Sequence, residues 1–253
     1  MKKILLIAGL DPSGNAGLLR DLEMVHTFSL QVASVVTALT AQNARKFLAL
    51  QPVSPRAFEL QLRSIAPLSQ YNAVKIGMLG NERLVQILIR FLKREKKRPP
   101  IVLDPVLRST TGGSLLNFNG QSLLWKKLVP LVSLWTPNTE EASFFSGLKI
   151  RSAKEMEEAA EILRRAKKTP VLIKGGHLKG ERVQDLYFNG REKTWFVFGR
   201  HHVGVHGRAP LRGTGCALST LIACFLAGGF PVSEAVRQGR VVMQRWIENQ
   251  DSF

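Results

Sequence analysis

Residues 4–17, ILLIAGLDPSGNAG, place a short apolar run directly before a glycine-rich turn. The run predicts a buried strand, and residues 16–28 follow with the three- and four-residue apolar spacing of a helix. The same unit recurs along the chain. Because the apolar runs are continuous rather than alternating, we expect parallel strands covered by helices on both faces. The further predicted strands are residues 33–37, 73–76, 101–103 and 171–173, and the further predicted helices are residues 55–68, 81–93, 139–145 and 152–167.

The pattern changes after Lys174. Two strand-like runs, residues 183–188 and 194–198, flank Asn189-Gly190, which is a strong hairpin signal. Two predicted helices, residues 213–227 and 233–248, then close the chain. No repeat, low-complexity tract or linker interrupts it. The sequence therefore predicts one α/β domain over residues 1–253, with a mainly parallel sheet.

The composition is strongly basic. Lys and Arg number 36 against 19 Asp and Glu, which gives a formal net charge of +17. This balance indicates a polyanionic partner, or an anionic substrate attracted by the field of the protein. With 45% hydrophobic residues, the chain is not of the disordered class.

The cysteines and the apolar runs exclude several classes of protein. Cys216 and Cys224 lie eight residues apart in one predicted helix, about 12 Å along its axis, which is too far for a disulfide. The N-terminal apolar run is too short for a signal peptide, and no run is long enough to cross a membrane. We therefore expect a cytoplasmic protein with no membrane partner.

Two glycine-rich turns are candidate binding sites. Residues 9–17 match neither a G-x-G-x-x-G fingerprint nor a Walker loop; they form either a ligand-binding loop or a capped strand-to-helix turn. Residues 212–216, Arg-Gly-Thr-Gly-Cys, precede a helix, where unpaired N–H groups and the helix dipole favour an anion. The same field predicts a lowered pKa for the Cys216 thiol. The alternative is a small-residue turn with a buried cysteine.

Polar residues also follow several predicted strands. Asp104, Asn138, Glu141 and Lys174 all stand at such ends, where ligands bind in parallel sheets. Carboxylate and amide groups suit Mg²⁺ bound together with phosphate oxygens, and Lys174 suits a phosphate. Singly, each residue is equally explained as a cap or a solvated loop residue. Together with the anion site they indicate an ATP-dependent phosphotransferase without a P-loop.

These segments, taken in order, resemble one known family. The resemblance runs from Ile4 to Gly229, and the ordered set is more specific than any one segment. The segments are Asp11-Pro12-Ser13-Gly14-x-Ala16-Gly17, Asp21-Leu22, TALTAQN at 37–43, KIGML at 75–79, Asp104-Pro105-Val106, Thr136-Pro137-Asn138-x-x-Glu141, KGGH at 174–177 and Gly213-Thr214-Gly215-Cys216. They are similar to the bacterial hydroxymethylpyrimidine and phosphomethylpyrimidine kinases of thiamine biosynthesis.

The resemblance implies a ribokinase-like three-layer αβα sandwich, a homodimer, and phosphoryl transfer from Mg²⁺-ATP. The acceptors would be 4-amino-5-hydroxymethyl-2-methylpyrimidine and then its monophosphate. It also implies site residues: Gln42 reading the pyrimidine edge; Gly9, Asp21, Met78 and Val106 shaping its pocket; Asp104, Asn138, Glu141 and Lys174 binding ATP and Mg²⁺, with Asp104 and Glu141 as metal ligands; Gly213, Thr214 and Gly215 as an anion hole; and Cys216 as the base.

Departures from the family pattern and alternative functions remain. Asn15 replaces a common glycine and is expected to tolerate a positive φ. Arg212 replaces a common histidine and would either contact phosphate or alter the loop, and residues 201–211 match poorly.

A pyridoxal kinase of the same fold is the nearest alternative function. Gln42 argues against it, because the pyrimidine edge needs both a donor and an acceptor. A nucleic-acid-binding or regulatory protein is the other; the scattered basic residues favour no nucleic acid partner.

Overall fold

The computed structural model describes residues 1–43, 46–109, 112–200 and 212–251. Within these ranges, nine strands form one sheet in the order β3-β2-β1-β4-β5-β6-β7-β8-β9. The strands are β1 (Lys3–Leu10), β2 (Gln31–Gln42), β3 (Phe47–Pro52), β4 (Ala73–Ile76), β5 (Ile101–Leu103), β6 (Leu134–Trp135), β7 (Val171–Ile173), β8 (Arg182–Phe188) and β9 (Lys193–Gly199).

The central six strands, from β2 through β1 to β7, are parallel. Both edges are antiparallel: β3 pairs with β2 on one side, and β8 and β9 continue from β7 on the other. The predicted hairpin is present, with Gly190 at φ +96° in the turn. The mainly parallel sheet predicted from the sequence is therefore confirmed.

Helices cover both faces of this sheet. They are α1 (Gly17–His26), α2 (Pro55–Ser64), α3 (Glu82–Arg94), α4 (Phe118–Leu123), α5 (Thr139–Ser146), α6 (Ala153–Lys167), α7 (Thr214–Gly228) and α8 (Val232–Asp251). Because successive side chains of a strand point to opposite faces, the sheet separates the hydrophobic core into two parts. Val74 and Ile76 of β4 face the core under α2, α3, α5 and α6, whereas Ala73 faces the core under α1, α7 and α8. The three-layer arrangement is confirmed.

Three elements were not predicted. β3 lies on the sheet edge and is largely solvent-exposed, so it lacks the continuous apolar run that marks the central strands. β6 is only two residues long. α4 begins at Phe118, whose ring is exposed, and a π-helical turn at Leu124–Leu128 follows it. Short or exposed elements bury too little surface to leave a periodic signal.

The strand order places the candidate residues together. The chain passes from β1 to β2 on one side and then to β4 on the other side of β1. In open parallel sheets, ligands bind beyond the carboxyl ends of the strands next to such a reversal. Cys216 and Cys224 are both free, as their spacing predicted. No helix in the described ranges is long and apolar enough to span a membrane.

Candidate active site

A cavity of about 540 Å³ opens at the carboxyl edge of the sheet. The end of β2 and residues that follow β5, β6 and β7 form part of its walls, residues of β8 and α8 add to them, and the first turn of α7 closes one side. The predicted site residues that line it are Gln42, Asp104, Val106, Asn138, Glu141, Lys174, Gly213, Thr214, Gly215 and Cys216. Residues far apart in the sequence are thus brought into one space.

The start of α7 is built to receive an anion. Gly213 precedes the helix in a left-handed conformation, at φ +72°, and no side chain of the described residues caps it. A Cβ on Gly213 would collide with the Asn15 carbonyl oxygen, so the turn at residues 9–17 packs directly against this end. The first N–H groups of a helix have no partner within it, so here they are available to a ligand such as a phosphate.

A lysine supplies positive charge to the same place. The Lys174 ammonium lies 2.6 Å from Asp104 Oδ1, and a Cβ on Gly215 would lie 3.0 Å from the same nitrogen. Burial disfavours the charged amine, but the Asp104 and Glu141 carboxylates outweigh it and raise the pKa of Lys174. Lys174 is therefore an ammonium ion beside the anion site.

Glu141 is held by the backbone. Its carboxylate accepts hydrogen bonds from the N–H groups of Leu107 and Asn138, each at 2.9 Å, and the Asn138 side chain caps α5 in return. Burial, and then the negative charge of Asp104, raise the pKa of Glu141. Val106, between the two carboxylates in sequence, has φ +42°, a strained conformation for a β-branched residue.

The protein side chains at this site can supply only some of the ligands that a magnesium ion needs. No three His, Cys, Asp or Glu side chains in the described part of the chain are grouped closely enough to hold a metal by themselves. Asp104 and Glu141 nevertheless line one cavity beside the anion site. Mg²⁺ is commonly held by one or two carboxylates with water and substrate phosphates, and this pair suits that arrangement.

The Cys216 thiol differs from its predicted state. It lines the cavity and is half-buried. Burial is the largest influence and raises its pKa to about 12; Lys75 and Lys174 favour the thiolate, whereas Asp104 and Asp21 oppose it. The prediction of a lowered pKa is wrong, because desolvation and two carboxylates outweigh the neighbouring cations.

Gln42 stands at the end of β2 with an unused acceptor. Its side-chain oxygen is buried and has no hydrogen-bond partner among the described residues. A buried polar atom normally has a partner, so this oxygen is a candidate contact for a ligand. Arg212 lines the same cavity and donates a hydrogen bond to the Asn43 carbonyl, next to Gln42.

Three residues expected in the pyrimidine pocket do not line this cavity in the described structure. Met78 packs against Gly9, where a Cβ would collide with the Met78 methyl group. Asp21 is fully buried and forms an ion pair with Lys75. The adjoining turn also differs from expectation: Gly14, at φ +72°, takes the left-handed conformation, and Asn15 does not. Residues 201–211, which match the family poorly, lie outside the described ranges.

Two buried, charged residues that line the cavity were missed from the sequence. Asp185 of β8 accepts a hydrogen bond from the Gly175 N–H at 2.8 Å, and Arg240 of α8 lies 3.2 Å from its other carboxylate oxygen. Both side chains are buried and line the cavity. No local pattern marks them, since each sits singly in an element predicted only from its apolar residues.

Comparison with known proteins gives a consistent result. The chain matches the phosphomethylpyrimidine kinase family over residues 11–253. It is 37% identical over 248 residues to the hydroxymethylpyrimidine/phosphomethylpyrimidine kinase of Rhizobium meliloti, covering 98% of this chain and 91% of that protein.

Solved structures resemble it over similar lengths. The phosphomethylpyrimidine kinase of Clostridium difficile has a TM-score of 0.83 at 30% identity, covering 98% of this chain and 100% of that one. The Staphylococcus aureus pyridoxal kinase in complex with pyridoxal has a TM-score of 0.85 at 28% identity, covering 96% and 86%. The ribokinase-like fold is therefore confirmed. The match to one family over nearly the whole length shows that this kinase belongs to the phosphomethylpyrimidine kinase family.

Proposed function

We propose that the enzyme transfers a phosphoryl group from ATP to the hydroxymethyl oxygen of 4-amino-5-hydroxymethyl-2-methylpyrimidine, and then a second group to the monophosphate. The observation that carries the proposal is the meeting of the α7 N-terminus, the Lys174 ammonium and the Asp104 carboxylate in one cavity. Phosphoryl transfer depends mainly on positioning and charge neutralisation, and this arrangement provides both.

The ATP phosphates would lie between the first turn of α7 and Lys174. N–H groups at residues 213–216 would face the transferred group, and Lys174 would neutralise part of its charge. Asp104 and Glu141 would hold Mg²⁺, with Asn138 fixing the Glu141 carboxylate. When bound, the metal would neutralise charge on the phosphates and on Asp104.

Gln42 would orient the pyrimidine. Its free oxygen can accept a hydrogen bond from the exocyclic amino group, while its amide NH₂ can donate to a ring nitrogen. Val106 lines the cavity, and Met78 and Gly9 pack behind it. The proposal assigns Asp21 no direct contact with substrate, because it is fully buried against Lys75.

Cys216 would accept the proton of the attacking hydroxyl. As the substrate oxygen bonds to the γ-phosphorus, the bond to the bridging oxygen of ADP breaks, and the hydroxyl proton moves to the sulfur. Only the thiolate can accept it, and at neutral pH a group with a pKa of about 12 is largely a thiol. Neutralising Asp104 removes one of the two carboxylate charges that oppose the thiolate, so a loaded site favours the reactive form.

Pyridoxal phosphorylation is the second candidate. This candidate is supported by the Staphylococcus aureus pyridoxal kinase, whose structure is similar over 96% of the length of this chain. Gln42 distinguishes the two candidates, since its donor and acceptor complement an aminopyrimidine.

We also propose that one kinase domain pairs with a second copy. Leu39 and Leu48, on the β2–β3 edge of the sheet, are 50% and 70% exposed, which supports an apolar contact there. Light scattering at rising protein concentration tests this pairing, and a monomer throughout would contradict it.

Product analysis tests the proposed reaction. The full chain, incubated with Mg²⁺, ATP and the hydroxymethylpyrimidine, should yield the monophosphate and then the diphosphate by mass spectrometry. Formation of pyridoxal phosphate from pyridoxal, with no phosphorylated pyrimidine, would instead support the second candidate.

A further inference from the structure

A buried ion pair lies beneath the site and has no role in the proposed mechanism. The Lys75 ammonium is 2.6 Å from Asp21 Oδ2, and both side chains are fully buried. The Thr220 hydroxyl donates to the other Asp21 oxygen at 2.8 Å. The pair therefore joins β4, α1 and α7 on one face of the sheet.

Stability does not explain such a pair. Removing two charges from water is costly, and replacing a buried ion pair by neutral groups of similar volume is often neutral or stabilising. Lys75 moreover interrupts a strand, Ala73–Ile76, whose other three residues are buried and apolar. A lysine at this buried position points to a use for its charge.

The geometry places that charge on the face of the sheet covered by α7, the helix that carries Cys216. A Cβ on Gly77 would lie 2.9 Å from the Lys75 nitrogen, so the ammonium reaches the carboxyl end of β4, where the site lies. Thr220 follows Cys216 by one helical turn, so both occupy the same face of α7. Lys75 is held to this face through Asp21.

Four charged groups act on the Cys216 sulfur, from four different elements. Lys75 of β4 and Lys174 after β7 favour a negative charge there, and Asp104 after β5 and Asp21 of α1 oppose it. Lys75 has the strongest favourable effect of the four. Its own charge is secure: burial disfavours it, but Asp21 and the other anionic groups outweigh burial and raise the pKa of Lys75.

We infer that Lys75 is a positioning residue that stabilises negative charge on Cys216, and that Asp21 and Thr220 hold its ammonium in place. The inference rests on the proposed function for its catalytic meaning. Its electrostatic part concerns only the sulfur and can be measured without substrate.

The test uses a double variant, Lys75→Met with Asp21→Asn. Both replacements keep the approximate volume, and the asparagine oxygen can still accept from Thr220, so no charge is left buried alone. Lys193→Met is the matched control, because it removes a lysine paired with Glu157 and Glu161 outside the cavity.

Two readouts are compared across pH 7–10: the rate of Cys216 alkylation by iodoacetamide, and kcat with the hydroxymethylpyrimidine. Lys75 favours the thiolate more strongly than Asp21 opposes it, so removing both charges leaves a net loss of stabilisation at the sulfur. We therefore expect both rates to fall about threefold or more at each pH in the double variant, with Tm unchanged or higher. The Lys193→Met control should keep both rates.

The outcomes separate the two proposals. Unchanged alkylation and kcat in a folded double variant would overturn the inference and leave the pair a structural feature. Slower alkylation in an enzyme that phosphorylates no pyrimidine, even in its natural form, would support the electrostatic role while refuting the proposed function. Alkylation of buried Cys224 reports unfolding. If it accelerates in the double variant, Asp21→Asn alone is compared instead: it keeps Lys75 and removes a carboxylate that opposes the thiolate, so Cys216 alkylation should become faster, and an unchanged or slower rate would overturn the inference.

Discussion

The Lys174 ammonium and the Asp104 carboxylate, 70 residues apart in the sequence, lie 2.6 Å from each other. They follow β7 and β5, with β6 between those strands in the sheet. Asn138 follows β6, and its backbone forms an isolated parallel β-bridge with that of Lys174. The order of the central strands therefore brings the Lys174 ammonium and the Asp104 and Glu141 carboxylates together beside the α7 N-terminus.

Removing the cation should weaken ATP use. In Lys174→Met, the transferred phosphate loses a charged donor, and such bonds contribute about 1.5–3 kcal/mol. We expect kcat/KM for ATP to fall about 10- to 150-fold, measured by coupled ATP consumption. Lys193→Met should leave it unchanged, and equal losses in the two variants would contradict the role of Lys174.

Gln42 should act on the pyrimidine rather than on ATP. Gln42→Met keeps the approximate size but removes the donor and the free acceptor, a loss of about 1–3 kcal/mol. KM for the hydroxymethylpyrimidine should rise about 5- to 150-fold while KM for ATP stays within about twofold. Similar changes in both constants would show that Gln42 is structural.

The two cysteines should differ in their effect on chemistry. Cys216→Ser preserves the shape but raises the pKa of the base, and general-base catalysis typically contributes about 10²–10⁴-fold. We expect kcat to fall within that range. Cys224→Ser, deeper in α7 and buried, should keep kcat and lose only stability. Matching kcat values would remove Cys216 from the mechanism.

The pH dependence of kcat tests whether the Cys216 thiolate is the base. The thiolate is the active form, and the pKa of the Cys216 thiol is raised to about 12. The thiolate fraction therefore increases with pH throughout the range 7–9. In the natural enzyme, kcat should therefore rise with pH. The Cys216→Ser variant should lack this rise; a profile that falls from pH 7 to 9 in the natural enzyme would contradict it.

Two glycines at opposite ends of α7 form a matched pair. Gly213 and Gly229 both have a positive φ, so alanine at either position adds strain of about 1–3 kcal/mol. Only the Gly213 Cβ would collide with Asn15; at Gly229 it meets no described atom within 4 Å. Gly213→Ala should therefore lose more stability than Gly229→Ala in thermal unfolding. It alone should also lose kcat, by about tenfold or more, because its collision displaces the turn that presents the α7 N–H groups. Equal kcat in the two would argue against an anion site at this turn.

Much of the fold was readable from the sequence because the central strands are buried on both faces. The run Ile4 to Ala8 contains no polar residue, so it predicts a buried strand without ambiguity. The Asn189-Gly190 pair marks the turn of the β8–β9 hairpin locally. The edge strand Phe47–Pro52 and the two-residue β6 left no comparable signal. Their pairing depends on neighbouring strands rather than on their own residues.

The candidate site was predicted where local chemistry and order along the chain coincide, as at Asp104 and residues 213–216. The sequence could not show the state of Cys216, because its pKa depends on Lys75, Asp21 and burial rather than on the adjoining glycines. Nor could it pair Asp185 with Arg240, whose contact forms only when α8 packs over β8.

The most direct measurement is kcat/KM for the hydroxymethylpyrimidine, its monophosphate and pyridoxal, in parallel assays of ATP consumption by the full chain with Mg²⁺. The arrangement of Gln42, Lys174, Asp104 and Cys216 predicts that both pyrimidines are phosphorylated, each with a kcat/KM at least tenfold above that for pyridoxal. A higher value for pyridoxal, or ATP consumption that no pyrimidine stimulates, would contradict the proposed function.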